Sequence, residues 1–166
     1  SMALEEVDRL SEENWRKDSF RKSLRGLQDT ESILIKYDTL DPLNPHENLP
    51  VRETGLYGVL SPTVALLESV DPGSKLVRAF IAKLPARSKI GLHVDPKEYS
   101  HLVRYHWVLR TNDRCKMVFR REEFQFKVGE IWQFNNLALH AAVNGGSTDR
   151  IHAIFDFSIK DSSLTA

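Results

Sequence analysis

The order of apolar and polar positions divides the chain in two. From Leu4 to about Gly26 charged residues dominate, and Leu4, Val7 and Leu10, then Phe20, Leu24 and Leu27, recur at the spacing of one helical face. One or two amphipathic helices are predicted there, with Ser11-Glu12-Glu13-Asn14 as a cap for the second and Trp15 and Phe20 as core-packing anchors. Ser32-Ile33-Leu34-Ile35-Lys36-Tyr37 reads as a strand, whereas Asp41 to Arg52, broken by Pro42, Pro45 and Pro50, reads as an irregular loop. Ser61-Pro62-Thr63 is a cap and first-turn proline ahead of Val64, Leu66, Leu67 and Val70, which predicts a short helix closed by Asp71-Pro72-Gly73.

Beyond Lys75 the texture changes to short segments that alternate or run apolar between turn residues: 76–84, 88–92, 102–110, 115–120, 123–127, 130–134, 139–143 and 150–159. Closely spaced strands of this kind suit two facing antiparallel sheets, a mostly β jelly roll or double-stranded β-helix with N-terminal supporting helices. One domain over 3–166 is expected, with helical and irregular support over 3–75 and the β core over 76–159. The opening Ser1-Met2 reads as a protease-cleavage remnant outside it.

Side chains two apart on a strand share a face, so His93 and Asp95 in Gly91-Leu92-His93-Val94-Asp95-Pro96 present an imidazole and a carboxylate side by side. His140 arrives on a later strand that a jelly roll can place opposite the first. Two histidines and one carboxylate form the facial triad that holds non-haem iron(II) and leaves positions open for cosubstrate and dioxygen. A His-x-Asp pair is common by itself; Arg150 adds the weight. It heads an apolar strand, and a buried guanidinium calls for a carboxylate that its planar fork can grip at two points. A diacid such as 2-oxoglutarate is the natural counterpart. In Val103-Arg104-Tyr105-His106-Trp107, Arg104 and His106 share an inward face, with Tyr105 and Trp107 on the other. The competing reading for Arg104 is a surface ion pair with an acid such as Glu98, and for His106 and His152 a satisfied core histidine. Trp107, Trp132 and Phe134 read as filler between the sheets. Asn135 and Asn136 read either as a turn or as amides that orient the distal histidine or meet substrate, and Asn144 before Gly145-Gly146 reads first as a turn.

Leu84-Pro85-Ala86, His93-x-Asp95, Arg104-x-His106, Gly129-Glu130-Ile131-Trp132-x-Phe134-Asn135-Asn136, His140-x-x-x-Asn144 and Arg150-x-His152-x-x-x-Asp156 follow in an order that resembles the aspartyl/asparaginyl β-hydroxylase-like group of 2-oxoglutarate oxygenases. The resemblance covers about 76–159 and, more loosely, Trp15 and Thr30-Glu31-Ser32. It implies a dioxygenase that hydroxylates an unactivated C–H, with iron(II), 2-oxoglutarate and dioxygen as partners in the chemistry. By this resemblance His93, Asp95 and His140 would bind iron, Arg150 would hold the distal carboxylate of 2-oxoglutarate, and Arg104 and His106 would stand near its proximal carboxylate end. It also implies, as the alternative to a turn, a place facing the site for Asn144. Asp95 departs from the group's namesake, the vertebrate endoplasmic-reticulum enzyme, which lacks that carboxylate ligand. The layout is nearer to bacterial-type members that act on free amino acids such as proline.

Composition then narrows the partners. Lys plus Arg and Asp plus Glu both number 23, and a net charge of 0 does not call for a polyanionic partner. A nucleic-acid demethylase using the same site is thereby disfavoured, and a small-molecule or short peptidyl substrate is expected. A third reading is a non-catalytic β-sandwich binding module that retains the pattern without stoichiometric metal. The single Cys115 and the absence of an apolar run long enough to span a membrane predict a cytoplasmic setting. The stretch 38–57, with His46 as a solvent-facing loop residue, and the stretch 95–101 are candidate rims over the substrate.

Overall fold

The computed structural model describes residues 1–16, 27–37, 46–47, 55–97 and 100–158. Phe20 and Leu24, most of the proline-broken loop, and Glu98 lie outside the described residues. One antiparallel sheet runs in the order β2 (His46–Glu47), β1 (Glu31–Tyr37), β3 (Lys75–Leu84), β10 (Arg150–Ser158), β5 (Leu102–Arg110) and β8 (Ile131–Phe134). A second runs β4 (Ser88–His93), β9 (His140–Asn144), β6 (Cys115–Phe119) and β7 (Glu122–Phe124). All eight segments expected beyond Lys75 form strands, and the two facing sheets make the jelly roll. β7 is shorter than expected because Phe126, beyond its end, turns into the core with Leu84, Val108 and Met117.

The period of two sorts the large sheet into layers. Ile151, Ala153, Phe155 and Phe157 of β10 join Ala79 and Ile81 of β3, Ile33 and Ile35 of β1, and Tyr105 and Leu109 of β5 in one apolar cluster. Three helices cover it: α1 (Met2–Arg9), α2 (Glu12–Arg16) and α3 (Leu56–Val70) contribute Ala3, Val7, Trp15, Leu56, Leu60 and Leu67. Trp107 packs against this helix-side cluster and not between the sheets, as its odd position on β5 requires. The opening dipeptide is continuous with α1, whose first turn is capped by the Ser1 hydroxyl accepting from the Leu4 amide.

α3 differs from expectation. It begins at Leu56, after Gly55 at φ 85°, and so takes Pro62 into its interior. An interior proline leaves a carbonyl one turn back without its amide donor. Here the Ser61 hydroxyl donates to the Gly58 carbonyl at 2.9 Å and answers it. The buried face is Leu56, Leu60 and Leu67, while Leu66 and Val70 are exposed. No helix among the described residues is long and apolar enough to cross a membrane.

The far corner is locked by Asn144. Its amide donates to the carbonyls of Leu84, Pro85 and Thr148, tying the end of β3 to the turn that leads into β10. A side chain on Gly146 would collide with the Asn112 amide there and push it off its bonds to Asn144 and Thr148.

Candidate active site

His93 and His140 are direct cross-strand partners, in a ladder that slips between Ile90 and His93. Their rings lie 4.2 Å apart, and Phe119, the partner of His140 on the other side, flanks it at 6.0 Å. Each imidazole is aimed by the same local device. The Nδ1 of His93 meets the Gly91 carbonyl at 2.8 Å, and the Nδ1 of His140 meets the Ala138 carbonyl at 2.8 Å. A carbonyl only accepts, so both Nδ1 atoms carry a proton, and Nε2 is the atom that each ring would turn to a metal.

Asp95 lies two residues beyond the end of β4, not within the strand. Its amide donates to the Asn136 carbonyl at 3.1 Å, which brings the turn before β9 against it. Oδ1 is 3.5 Å from His93 Nε2 and 3.9 Å from His140 Nε2. One ligand atom from each of the three residues falls within 4.8 Å of the others. Two imidazoles and one carboxylate around a common centre fit a divalent iron, which prefers this mixed donor set. The electrostatics agree. Burial alone would raise the Asp95 carboxyl, but the Arg104 guanidinium and the bond with His93 overcome it and hold it well below the usual carboxylate range. Burial lowers His140, whereas the hydrogen bond with Asp95 raises His93.

Arg104 is buried and faces inward, but its fork grips two carboxylates of the protein: Nε and Nη2 donate to Asp156 at 2.7 and 2.9 Å, and Nη1 donates to Asp95. Arg104 is therefore not a surface residue, and Glu98, the acid expected beside it, lies outside the described residues. His106 and His152, also inward, sit edge to face at 5.4 Å with Nδ1 atoms 3.2 Å apart, and burial drives both well down, so both are neutral. Arg150 is 5 % exposed, its fork against His152 and a terminal nitrogen 3.3 Å from Met117 Sδ.

A cavity of about 680 Å³ opens at Phe119, whose ring flanks His140, and is walled further by Phe124, Phe126 and Trp132 with Arg120, Arg121 and Glu122. Trp132 stacks on Phe126 at 4.6 Å and stays 37 % exposed, so it lines this space where core packing was expected. Asn135 turns the chain, accepting from the Leu137 amide, while Asn136 donates to Asp95 Oδ2 at 3.3 Å. Sequence reasoning gave no role to Arg78 and Asp156, which join Arg104 in the buried charge cluster. A charge inside the apolar run of β3, at a position of the same parity as the inward residues, was the available signal for Arg78.

The family model of aspartyl/asparaginyl β-hydroxylase matches residues 5–159. The chain belongs to this family. It is therefore an enzyme of hydroxylase type, as the resemblance implied. No curated protein matches the sequence. Among solved structures, an oxidoreductase of the 2OG-Fe(II) oxygenase family from Burkholderia pseudomallei is similar at 18% identity and TM-score 0.63, over 80% of this chain and 69% of that one. That similarity supports the double-stranded β-helix of the hydroxylase. A viral collagen prolyl hydroxylase from Paramecium Bursaria Chlorella virus-1, in its 2OG complex, aligns at 12% identity and TM-score 0.49 over 79% of each chain. A cupin domain of Schizosaccharomyces pombe aligns at 11% identity and TM-score 0.41, over 54% of this chain and 58% of that one.

Proposed function

We propose that this hydroxylase is an iron(II)- and 2-oxoglutarate-dependent dioxygenase acting on an unactivated C–H of an amino acid or a peptidyl residue, with succinate and carbon dioxide as coproducts. The observation that carries the reading is the convergence of His93 Nε2, His140 Nε2 and Asp95 Oδ1, with the Nδ1 of each imidazole held by a backbone carbonyl. These three residues would hold the metal. Iron(II), when bound with 2-oxoglutarate and dioxygen, supplies the oxidising chemistry that a protein side chain lacks. Arg150, sunk in the inward face at the head of β10, is the residue to grip the distal carboxylate of the diacid. His106, on the same face one strand away, stays neutral and is the residue to stand near the cosubstrate. The cavity at Phe119, next to the ring that flanks His140, would admit the substrate. Its aromatic walls suit an apolar body, and its mixed charges, Arg120 and Arg121 with Glu122, suit the carboxylate and ammonium that a free amino acid carries.

The test is succinate release from 2-oxoglutarate by purified protein supplied with iron(II) and ascorbate, screened across amino acids for stimulation. Asp95→Ala is expected to abolish both turnover and stoichiometric metal binding. Failure of 2-oxoglutarate to give a visible charge-transfer band with the anaerobic iron-loaded protein would remove the proposal.

A further inference from the structure

Three strands of the large sheet carry charged residues in one straight row. Arg78 on β3 lies directly opposite Asp156 on β10, and Asp156 lies directly opposite Arg104 on β5. All three point inward, and their exposures are 3, 0 and 9 %. The row ends on Asp95, itself 9 % exposed, which reaches Arg104 from the far side of the barrel. We propose that this ionic row makes Asp95 a one-oxygen metal ligand and so keeps a coordination position open for cosubstrate. The inference rests on the reading of Asp95 as a ligand.

The two oxygens of Asp95 have different surroundings. Oδ2 accepts from Arg104 Nη1 and from Asn136 Nδ2. Oδ1 faces the two Nε2 atoms. A carboxylate free to rotate about its last torsion can take a metal with both oxygens and use up an extra position. A facial triad is useful only while three positions stay open for a two-point cosubstrate and dioxygen. With Oδ2 occupied by two donors, rotation would break both bonds inside a buried site, where an unanswered charge is costly.

The row explains why this anchor is rigid. Arg104 bridges two carboxylates with one planar group: Nε and Nη2 are committed to Asp156, which fixes the plane and therefore the direction of Nη1. Asp156 is pinned from its other side by Arg78 Nε at 2.7 Å and by a second guanidinium nitrogen. Formal charges alternate along Arg78, Asp156, Arg104 and Asp95 and cancel. Removal of any inner member leaves a buried charge uncompensated. Arg104 is thus a positioning residue for the ligand, and Arg78 and Asp156 act through it. A lysine at position 104 keeps the charge but cannot point two ways at once.

The experiment is titration of the apoprotein with cobalt(II), followed by calorimetry and by its visible d–d bands, then titration of the cobalt form with 2-oxoglutarate. Wild type is compared with Arg104→Lys, Arg78→Lys and Asn136→Ala, each checked for folding by a thermal melt. Arg104→Lys is expected to lower cobalt affinity about ten- to hundredfold, the usual range for lost support of a metal ligand. It should also shift the d–d bands and weaken 2-oxoglutarate further. Arg78→Lys and Asn136→Ala should move the same readouts in the same direction by less, and they decide the matter if Arg104→Lys does not fold. Folded variants with wild-type cobalt affinity, spectrum and 2-oxoglutarate binding would overturn the inference and leave the triad standing. A wild-type protein that binds no cobalt would instead remove the reading of the triad itself.

Discussion

The two faces of β10 have the same backbone, the same hydrogen-bonded neighbours and nearly the same burial, yet they carry opposite chemistry. Ile151, Ala153, Phe155 and Phe157 point to the helices and are entirely apolar. Arg150, His152 and Asp156, with Ile154 among them, point into the barrel and meet Arg104, His106 and Arg78. The difference shows how a small domain can tolerate a buried ionic interior. The apolar side supplies burial that is insensitive to the detailed geometry of the other side, and the polar side can then be arranged for binding, where its charges are held by cross-strand partners and not by solvent. Such a division also implies that damage to one face leaves the other in working order.

Phe155→Ala tests that independence most severely. Removing a fully buried ring from the helix-side cluster is expected to destabilise the protein by about 3–5 kcal/mol, read by urea unfolding. The folded fraction should bind metal with unchanged affinity, and a loss there would show that the faces are coupled. Next in size, Arg150→Met should raise the Kd for 2-oxoglutarate at least tenfold, about 1.4 kcal/mol or more, with metal affinity within a factor of two. A matching loss of metal would mean that the inner face acts as one unit.

The inner face should also govern the response to acid. Asp156 is buried, which would raise its carboxyl, but Arg104 and Arg78 hold it below the usual carboxylate range. A depressed carboxyl contributes stability that is present above its unfolded value, about 4, and is lost as pH falls below that. Apoprotein stability is therefore expected to drop from about pH 5 to pH 3, and to drop less steeply in a folded Asp156→Asn variant. Identical slopes in a urea series at each pH would contradict this. The smallest effect is expected on the helix side, where Ser61→Ala removes the hydroxyl that answers the Gly58 carbonyl. A change of about 0.5–1 kcal/mol with metal binding untouched would fit, because the site is partly solvated.

Much of this arrangement was legible in the chain because strand parity is a local property. The alternation beyond Lys75 announced the strands, and the equal parity of Arg104, His106, Arg150 and His152 announced an inward polar face. The triad was legible for a similar reason, since His93-x-Asp95 and His140 combine ligand types that few other chemistries need. Where the reading failed, the missing information was tertiary. Pro62 signals a helix start, but the Ser61 hydroxyl repairs the interior position, so packing of Leu56 and Leu60 could extend the helix back. Asp95 stands off the end of β4 because Asn136 fixes its backbone from another part of the chain. Trp132 is drawn to the cavity wall by Phe126, a neighbour that only the folded chain supplies. Arg78 could not be paired with Asp156 from sequence, because that pairing depends on the register between β3 and β10. Asn144 serves the corner between sheets.

The direct opposition of His93 and His140 on β4 and β9 has a consequence for how such a protein can change. The separation of the two imidazoles is set by a ladder of backbone hydrogen bonds and is indifferent to the length of polypeptide that joins those strands. Insertions or deletions in the intervening connections can therefore remodel the surrounding walls while the spacing of the two imidazoles is kept. A further one-residue slip in that ladder, beyond the one already present between Ile90 and His93, would instead turn one imidazole to the opposite side and part the pair.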